Sequence, residues 1–378
     1  MIREELSRYP VAAQTHAGMT GKNNEDRFAV SAFQLSQRNR TPVLLAVLCD
    51  GIGGHKAGEI AAELAVNNIS QVAAESDGKY PLEALEKGIQ QANQAIFKAA
   101  NHDQSKTGMG STTAIAWVIG NRLFTATVGD SRIYLMRDGH IRQLSIDHTW
   151  IQDALDSGLL APDQVEGHPN RHVIRRYLGG PTPPEVDYRL RMADGESDQQ
   201  SIDNQGKPLN PGDRLLLCSD GLTDLVRDHE ILAAFGEVSD EQATQNLVDL
   251  ANTRGGHDNI TIVTFTLPNG IKPASKKRSP LPFGCAIAAI ILGLMVLTAS
   301  AYYLLNGLPW LDDNLRATPP IMATINPLIT SAPQSSATVN PRFSLPTMTP
   351  LPLPTTIQGG ERVYPSPGQD GSPVYPSP

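Results

Sequence analysis

Cysteine is nearly missing from this chain. Three residues in 378 (Cys49, Cys218 and Cys285) cannot build a disulfide scaffold, and they suit a reducing compartment. Positive charge is also short, with 31 Lys and Arg against 39 Asp and Glu, a net charge of −8. A protein that neutralises nucleic-acid phosphates needs the opposite balance, so nucleic acid is excluded as a partner. No apolar run follows the charged opening Met1-Ile2-Arg3-Glu4-Glu5, and no secretory leader is expected. The HExxH pattern of a zinc protease and the Cys-x5-Arg pattern of a thiolate nucleophile are both absent.

Apolar residues make up 40% of the chain and charged residues 19%, enough for a real core. The charge is unevenly spread. Residues 1–268 hold 24 Lys and Arg against 35 Asp and Glu, an acidic balance that fits a metal-binding enzyme or an ordinary folded domain. Strand-like runs fall at 43–49, 112–119, 122–128, 132–136, 214–218 and 259–267. Helical periodicity falls at 58–74, 82–100 and 241–252. Asn121-Arg122 and Asp138-Gly139 punctuate neighbouring strands as hairpin turns. A pair of helices followed by a meander of strands is an α+β pattern rather than βαβ alternation.

Residues 283–305 (FGCAIAAIILGLMVLTASAYYLL) carry no charge over 23 positions. As a helix they span about 35 Å, enough to cross a hydrocarbon layer of about 30 Å with some tilt. Lys272, Lys276, Lys277 and Arg278 precede the run, while Asp312 and Asp313 follow it. That bias predicts a single-pass cell-membrane protein with residues 1–281 cytoplasmic and the C-terminus external. Beyond the run, residues 311–378 hold 14 of the 29 prolines and repeat the pentapeptide VYPSP. Such a stretch is expected to be a disordered external tail. The expected organisation is therefore a catalytic domain at 1–268, a basic linker at 269–282, a transmembrane helix at 283–305 and a tail at 306–378.

Four acidic motifs stand at strand ends or sharp turns. They are Asn23-Asn24-Glu25-Asp26-Arg27, Asp50-Gly51-Ile52-Gly53-Gly54-His55 after an apolar strand, Ser219-Asp220-Gly221, and Gly255-Gly256-His257-Asp258-Asn259. A strand ending in Asp-Gly fixes a carboxylate beside open backbone, which suits a hard divalent cation such as magnesium or manganese. Each motif alone also reads as a turn, Asp26 and Asp220 as helix caps, His257 as a surface histidine, and Gly51 to Gly54 as a loop or anion nest.

Taken together and in order, NNEDR, LCDGIGGHKAGEIAA, MGSTTAIAWV, VGDSRIYLMRDG, LSIDHTW, LLLCSDGLTD and GGHDNITIV resemble the metal-dependent protein serine/threonine phosphatases of type 2C. The resemblance covers residues 10–267. It implies two stacked antiparallel β-sheets flanked by antiparallel helices, an α-β-β-α sandwich. It further implies two Mn or Mg ions: Asp50 bridges them, the Gly51 carbonyl binds one, Asp220 and Asp258 bind the other, and Glu25 and Asp26 hold coordinated waters or ligate directly. Asp130 corresponds to a contributor to a third, weaker ion, His55 to the proposed general acid, and Asn259 lies beside the site as a substrate-binding residue. Ser111, Thr112 and Thr113 read as structural. The implied substrates are phosphoserine and phosphothreonine proteins, with membrane serine/threonine kinases as partners. One departure stands out. The family's phosphate-binding arginine, five residues before the aspartate of the first motif, is replaced by Gly21, leaving the neighbouring Lys22 as the substrate-binding charge. A family's mobile flap falls between Asp147 and Leu190, where Arg171, Arg175 and Arg176 either dock phosphopeptides or form a solvated charged face. The other reading left open is a pseudophosphatase, or a regulatory module that binds phosphoproteins without turnover.

Overall fold

Val43-Leu44-Leu45-Ala46-Val47-Leu48-Cys49 is apolar at every position because both faces of the strand it forms are covered. Residues 44–49 have no solvent exposure at all. Leu44, Ala46 and Leu48 point into one core cluster, while Val43, Leu45, Val47 and Cys49 point into another, as the two-residue period of a strand requires.

The computed structural model describes residues 1–53, 57–271 and a helix over 283–306, with side chains in that helix described for 293–304. In chain order the strands are β1 (Ile2–Arg3), β2 (Val11–His16), β3 (Arg27–Gln34), β4 (Pro42–Cys49), β5 (Gly51–Ile52), β6 (Gly110–Ser111), β7 (Thr113–Ile119), β8 (Arg122–Val128), β9 (Arg132–Arg137), β10 (His140–Gln143), β11 (Arg214–Cys218) and β12 (Ile260–Thr266). The helices are α1 (Ala57–Glu75), α2 (Pro81–His102), α3 (Trp150–Asp156), α4 (Asp198–Asp203), α5 (Asp220–Thr223), α6 (Asp228–Ala234), α7 (Asp240–Thr253) and α8 (Phe283–Asn306).

Two five-stranded sheets are stacked, ordered β1-β3-β4-β7-β8 and β10-β9-β11-β12-β2, with every pairing antiparallel. Leu44, Leu48, Val118, Leu215, Leu217 and Phe265 fill the space between them. The outer face of the first sheet packs Leu45, Val47, Ile115 and Trp117 against α1 and α2. The outer face of the second packs Leu216, Cys218 and Ile262 against Leu247 and Val248 of α7. The layer order is helix, sheet, sheet, helix, as the motifs implied. Each fully buried leucine in these layers contributes about 1.5–3 kcal/mol through burial. Small residues let α1 and α2 approach closely: Ala61, Ala62 and Ala65 are fully buried, and a Cβ on Gly88 would lie 3.1 Å from the Ile69 Cα.

The six expected strands form, two with the expected bounds (122–128 and 214–218) and the others with ends moved by one residue. The expected strand at 112–119 starts instead at Thr113, because Ser111 pairs with Gly51 in the short β5–β6 ribbon. The β7–β8 hairpin turns on Gly120 (φ 65°) and Asn121 rather than on Asn121-Arg122. Asp138 (φ 52°) and Gly139 (φ 73°) form the β9–β10 turn with both residues left-handed, which is why Asp-Gly stands there. A helix runs over 283–306. Among the described residues no helix is long and apolar enough to cross a membrane. The basic linker from residue 272 and the tail from residue 307 lie outside the described residues.

Candidate metal centre

Strand register brings the four acidic motifs to one end of the sandwich. Arg27 pairs with Cys49, so Asp26 and Asp50 leave neighbouring strands at the same end. Cys218 pairs with Ile262 and with Arg132, which sets Asp220, Asp258 and Asp130 at the corresponding end of the second sheet. A buried hydrogen bond joins the two halves: the Ser219 hydroxyl donates to Asp26 Oδ2 at 2.8 Å.

The backbone around Asp50 is fixed from several sides. Its N–H donates to Thr112 Oγ1 at 3.0 Å, and its carbonyl accepts from Thr112 N at 2.8 Å and from Ser111 Oγ at 3.1 Å. Thr112 Oγ1 is in turn 2.7 Å from Ser131 Oγ, next to Asp130. Gly51 has no room for a side chain, since a Cβ would sit 2.2 Å from the Gly58 carbonyl and 2.7 Å from that of Glu25. Gly221 is equally tight, its Cβ falling 2.1 Å from the Asn259 carbonyl. These glycines are the residues that let the acidic segments touch.

Asn259 is a buried anchor of the loop that carries Glu25. Its side-chain carbonyl accepts from Glu25 N at 2.7 Å, and its amide donates to the carbonyls of Ala17 and Asn23 at 3.1 Å each. Those three bonds make its side chain an anchor of the acidic loop. The neighbouring carboxylate, Asp258, is exposed.

The carboxylates repel one another. Burial, then the charges of Asp26, Asp220, Asp130 and Asp258, raise Asp50 well above the usual carboxylate range. Asp220 is raised well above that range by burial and then by Asp130, Asp224, Asp258 and Asp26. Burial first, and Asp258 second, push Glu25 up to about 7. Burial pushes Asp26 up to about 6 and Asp130 to about 7. Among the described residues, buried oxygens Asp26 Oδ1, Asp130 Oδ1 and Asp220 Oδ1 have no hydrogen-bond partner. The nearby arginines are committed elsewhere, Arg132 to Asp147 at 2.6 Å and Arg27 to Glu59. An acid cluster with buried oxygens unpartnered among the described residues, and with its nearby arginines paired elsewhere, fits hard divalent cations, which neutralise the charge and take the free lone pairs.

These pKa values are raised, so the folded metal-free chain keeps protons that the unfolded chain releases above about pH 4. Its melting temperature is therefore expected to fall as pH rises from about 5 to about 8, and saturating Mn²⁺ is expected to remove most of that decline. Thermal melts at several pH values, with and without Mn²⁺, check it.

A cleft of about 420 Å³ opens beside the cluster, lined by Asp130, Arg132, Asp147, His172, Asp220 and Asp224. The expected flap forms one wall. Arg171 donates to the Asp224 carbonyl at 3.3 Å and to its Oδ1 at 3.2 Å, His172 Nδ1 lies 3.2 Å from Asp224 Oδ2, and His168 stacks on Trp150. Arg175 pairs with Asp153 and Arg176 with Glu185, both at 3.4 Å, the behaviour of a charged face. Ligand atoms of His172, Asp220 and Asp224 lie within 4.8 Å of one another. His172 and Asp224 were missed as potential ligands, although Asp220-x-x-x-Asp224 at one helical turn is a readable signal. Lys22 is exposed, with its charge felt at Glu25. Gly21 has φ +75° and open space around it, so Gly21→Arg would strain the backbone by about 1 kcal/mol. His55 lies outside the described residues.

Comparison with known proteins gives the following. A sequence model of the family described as Protein phosphatase 2C matches residues 15–153. The chain is 34% identical over 252 residues to the serine/threonine protein phosphatase PstP of Mycobacterium tuberculosis, a match covering 67% of this chain and 44% of that protein. It therefore spans less than half the length of that relative. It is 31% identical over 257 residues to the serine/threonine phosphatase stp of Listeria innocua, covering 66% of this chain and 92% of that one. The crystal structure of the catalytic domain of PstP in complex with two manganese ions superposes with a TM-score of 0.56 at 31% identity, over 69% of this chain and 99% of that one.

Proposed function

The chain belongs to the protein phosphatase 2C family, and we propose that it hydrolyses phosphoserine and phosphothreonine on proteins at a centre holding two Mn or Mg ions. The observation that carries this is the acid cluster at one end of the sandwich, with its three orphaned carboxylate oxygens. The ligand set we assign is Asp50, the Gly51 carbonyl, Asp220 and Asp258, with Glu25 and Asp26 ligating directly or through water and Asp130 serving a third, weaker ion. The two manganese ions in the related PstP domain support the number. Such ions supply an activated water and neutralise phosphoryl oxygens.

The chain's own residues supply the remaining work. Asn259 and Thr112 hold the acidic segments in place through the bonds described above. Lys22, on the acidic loop three residues before Glu25, is assigned the phosphate contact, as a point charge rather than a bidentate fork. His55 is assigned the proton delivered to the departing serine or threonine oxygen, for which an imidazole near its ordinary pKa of about 6.5 is suited.

The uncharged 283–305 stretch and its basic flank support a single-pass anchor with the phosphatase domain cytoplasmic and the tail external. That placement makes membrane serine/threonine kinases the natural partners.

The test is release of phosphate from phosphoserine and phosphothreonine peptides with Mn²⁺ present, and none in excess chelator. Peptide binding without turnover would return the chain to the binding-module reading. Within the same assay, Lys22→Ala is expected to raise KM with kcat largely kept, a loss of about 5–30-fold in kcat/KM. An unchanged KM would mean that Lys22 does not meet the phosphate.

A further inference from the structure

We propose that His148 is a positioning residue for the Asp130 turn, and that the acceptor at its Nδ1 sets how tightly the acid cluster holds a cation. The proposal rests on the metal-dependent phosphatase reading above. It adds a residue which that reading does not use.

Asp130 follows Gly129, whose φ of +105° belongs to glycine and whose Cβ, if present, would lie 2.6 Å from the Thr112 side chain. His148 holds the peptide groups on both sides of the Gly129 Cα. The Gly129 N–H donates to His148 Nδ1 at 3.0 Å, and the Gly129 carbonyl accepts from the His148 N–H at 3.0 Å.

The ring is itself held. With Nδ1 accepting, the ring proton sits on Nε2 and is donated to Asp187 Oδ2 at 3.0 Å. Arg189 fixes Asp187 through Nε and Nη2 at 2.6–3.0 Å. The Asp187 backbone exchanges two bonds of 3.0 Å with Thr127, two residues before Gly129. Both ends of the imidazole are thus tied to the end of β8 that delivers Asp130. The His148 carbonyl also accepts from Arg175 N at 2.8 Å, so the same residue joins this turn to the base of the flap. His148 and Asp187 are 3% and 6% exposed, so the pair is buried.

A buried histidine with satisfied nitrogens is ordinarily just a packed core residue. Here one nitrogen is spent on the Gly129 N–H, in the turn that carries a carboxylate whose Oδ1 is buried and, among the described residues, unpartnered. An outer partner that orients a ligand changes metal affinity by about 10–100-fold when lost.

Two substitutions separate the nitrogens. His148→Asn keeps an acceptor where Nδ1 stands and gives up the Asp187 bond. His148→Gln reaches the Nε2 position and gives up the acceptor. On the full-length chain, Mn²⁺ binding is read by calorimetry and phosphate release is read separately. Expected are Mn²⁺ binding within about 3-fold of the unsubstituted chain in His148→Asn, and about 10–100-fold weaker binding at one site in His148→Gln. Equal losses, the reverse ranking, or a His148→Asn chain that does not fold would overturn the proposal. If the unsubstituted chain binds Mn²⁺ yet releases no phosphate, the phosphatase reading fails while the ranking still decides the role of His148.

Discussion

Asp220→Asn is expected to lower kcat/KM for a phosphothreonine peptide by more than about 10²-fold, the upper range for losing an outer partner alone. Asp220 stands at the first position of α5, and its Oδ1 is buried without a partner among the described residues. Its carboxylate is raised by burial and by four neighbouring acids, so in the metal-free chain it is a source of repulsion. The substitution removes a charged ligand and relieves that repulsion at once. It should therefore weaken Mn²⁺ binding while raising the melting temperature of the metal-free chain at pH 8. These opposite signs distinguish loss of a ligand from general damage, which would lower both. Rates, Mn²⁺ affinity and metal-free melts on the same preparation check the prediction.

Gly51→Ala should be nearly as severe for a different reason. The added Cβ would meet two backbone carbonyls, those of Gly58 at 2.2 Å and Glu25 at 2.7 Å. Backbone cannot swing aside as a side chain does, so α1, β5 or the Glu25 loop must move. The expected cost is about 1–3 kcal/mol of stability, read as a lower denaturation midpoint. Because the displaced segments carry Asp50 and Glu25, activity should fall by at least about 10²-fold, since a shift of about 1 Å at a reacting centre has effects of that size. A chain with ordinary activity after this change would mean that the Gly51 segment does not shape the site.

Much of this was readable from residue order. The unbroken apolar run at 43–49 marked a strand, and Leu44 to Cys49 are without exposure. The acidic motifs lay at strand ends, and antiparallel register carried them to one end of the sandwich. Less visible were β2 and β3, whose sequences VAAQTH and RFAVSAFQ carry little strict alternation. Strand β2 is an edge, and β3 keeps most of its residues partly exposed. In the site, the anchoring work of Asn259 was hidden because it depends on carbonyls 236 and 242 positions away. The flap contacts of Arg171 and His172 with Asp224 were hidden for the same reason. Sequence spacing speaks for neighbours along a helix or strand, whereas these bonds close only when distant loops meet.

The central claim is that the acid cluster holds divalent cations in order to hydrolyse phosphoserine and phosphothreonine. It is tested most directly by titrating Mn²⁺ into the metal-free chain, counting bound ions by calorimetry while phosphate release from a phosphothreonine peptide is followed in parallel. The account predicts release that rises with occupancy of two ions and is abolished by chelator. Release that persists with no ion bound, or full occupancy with no release, would contradict it.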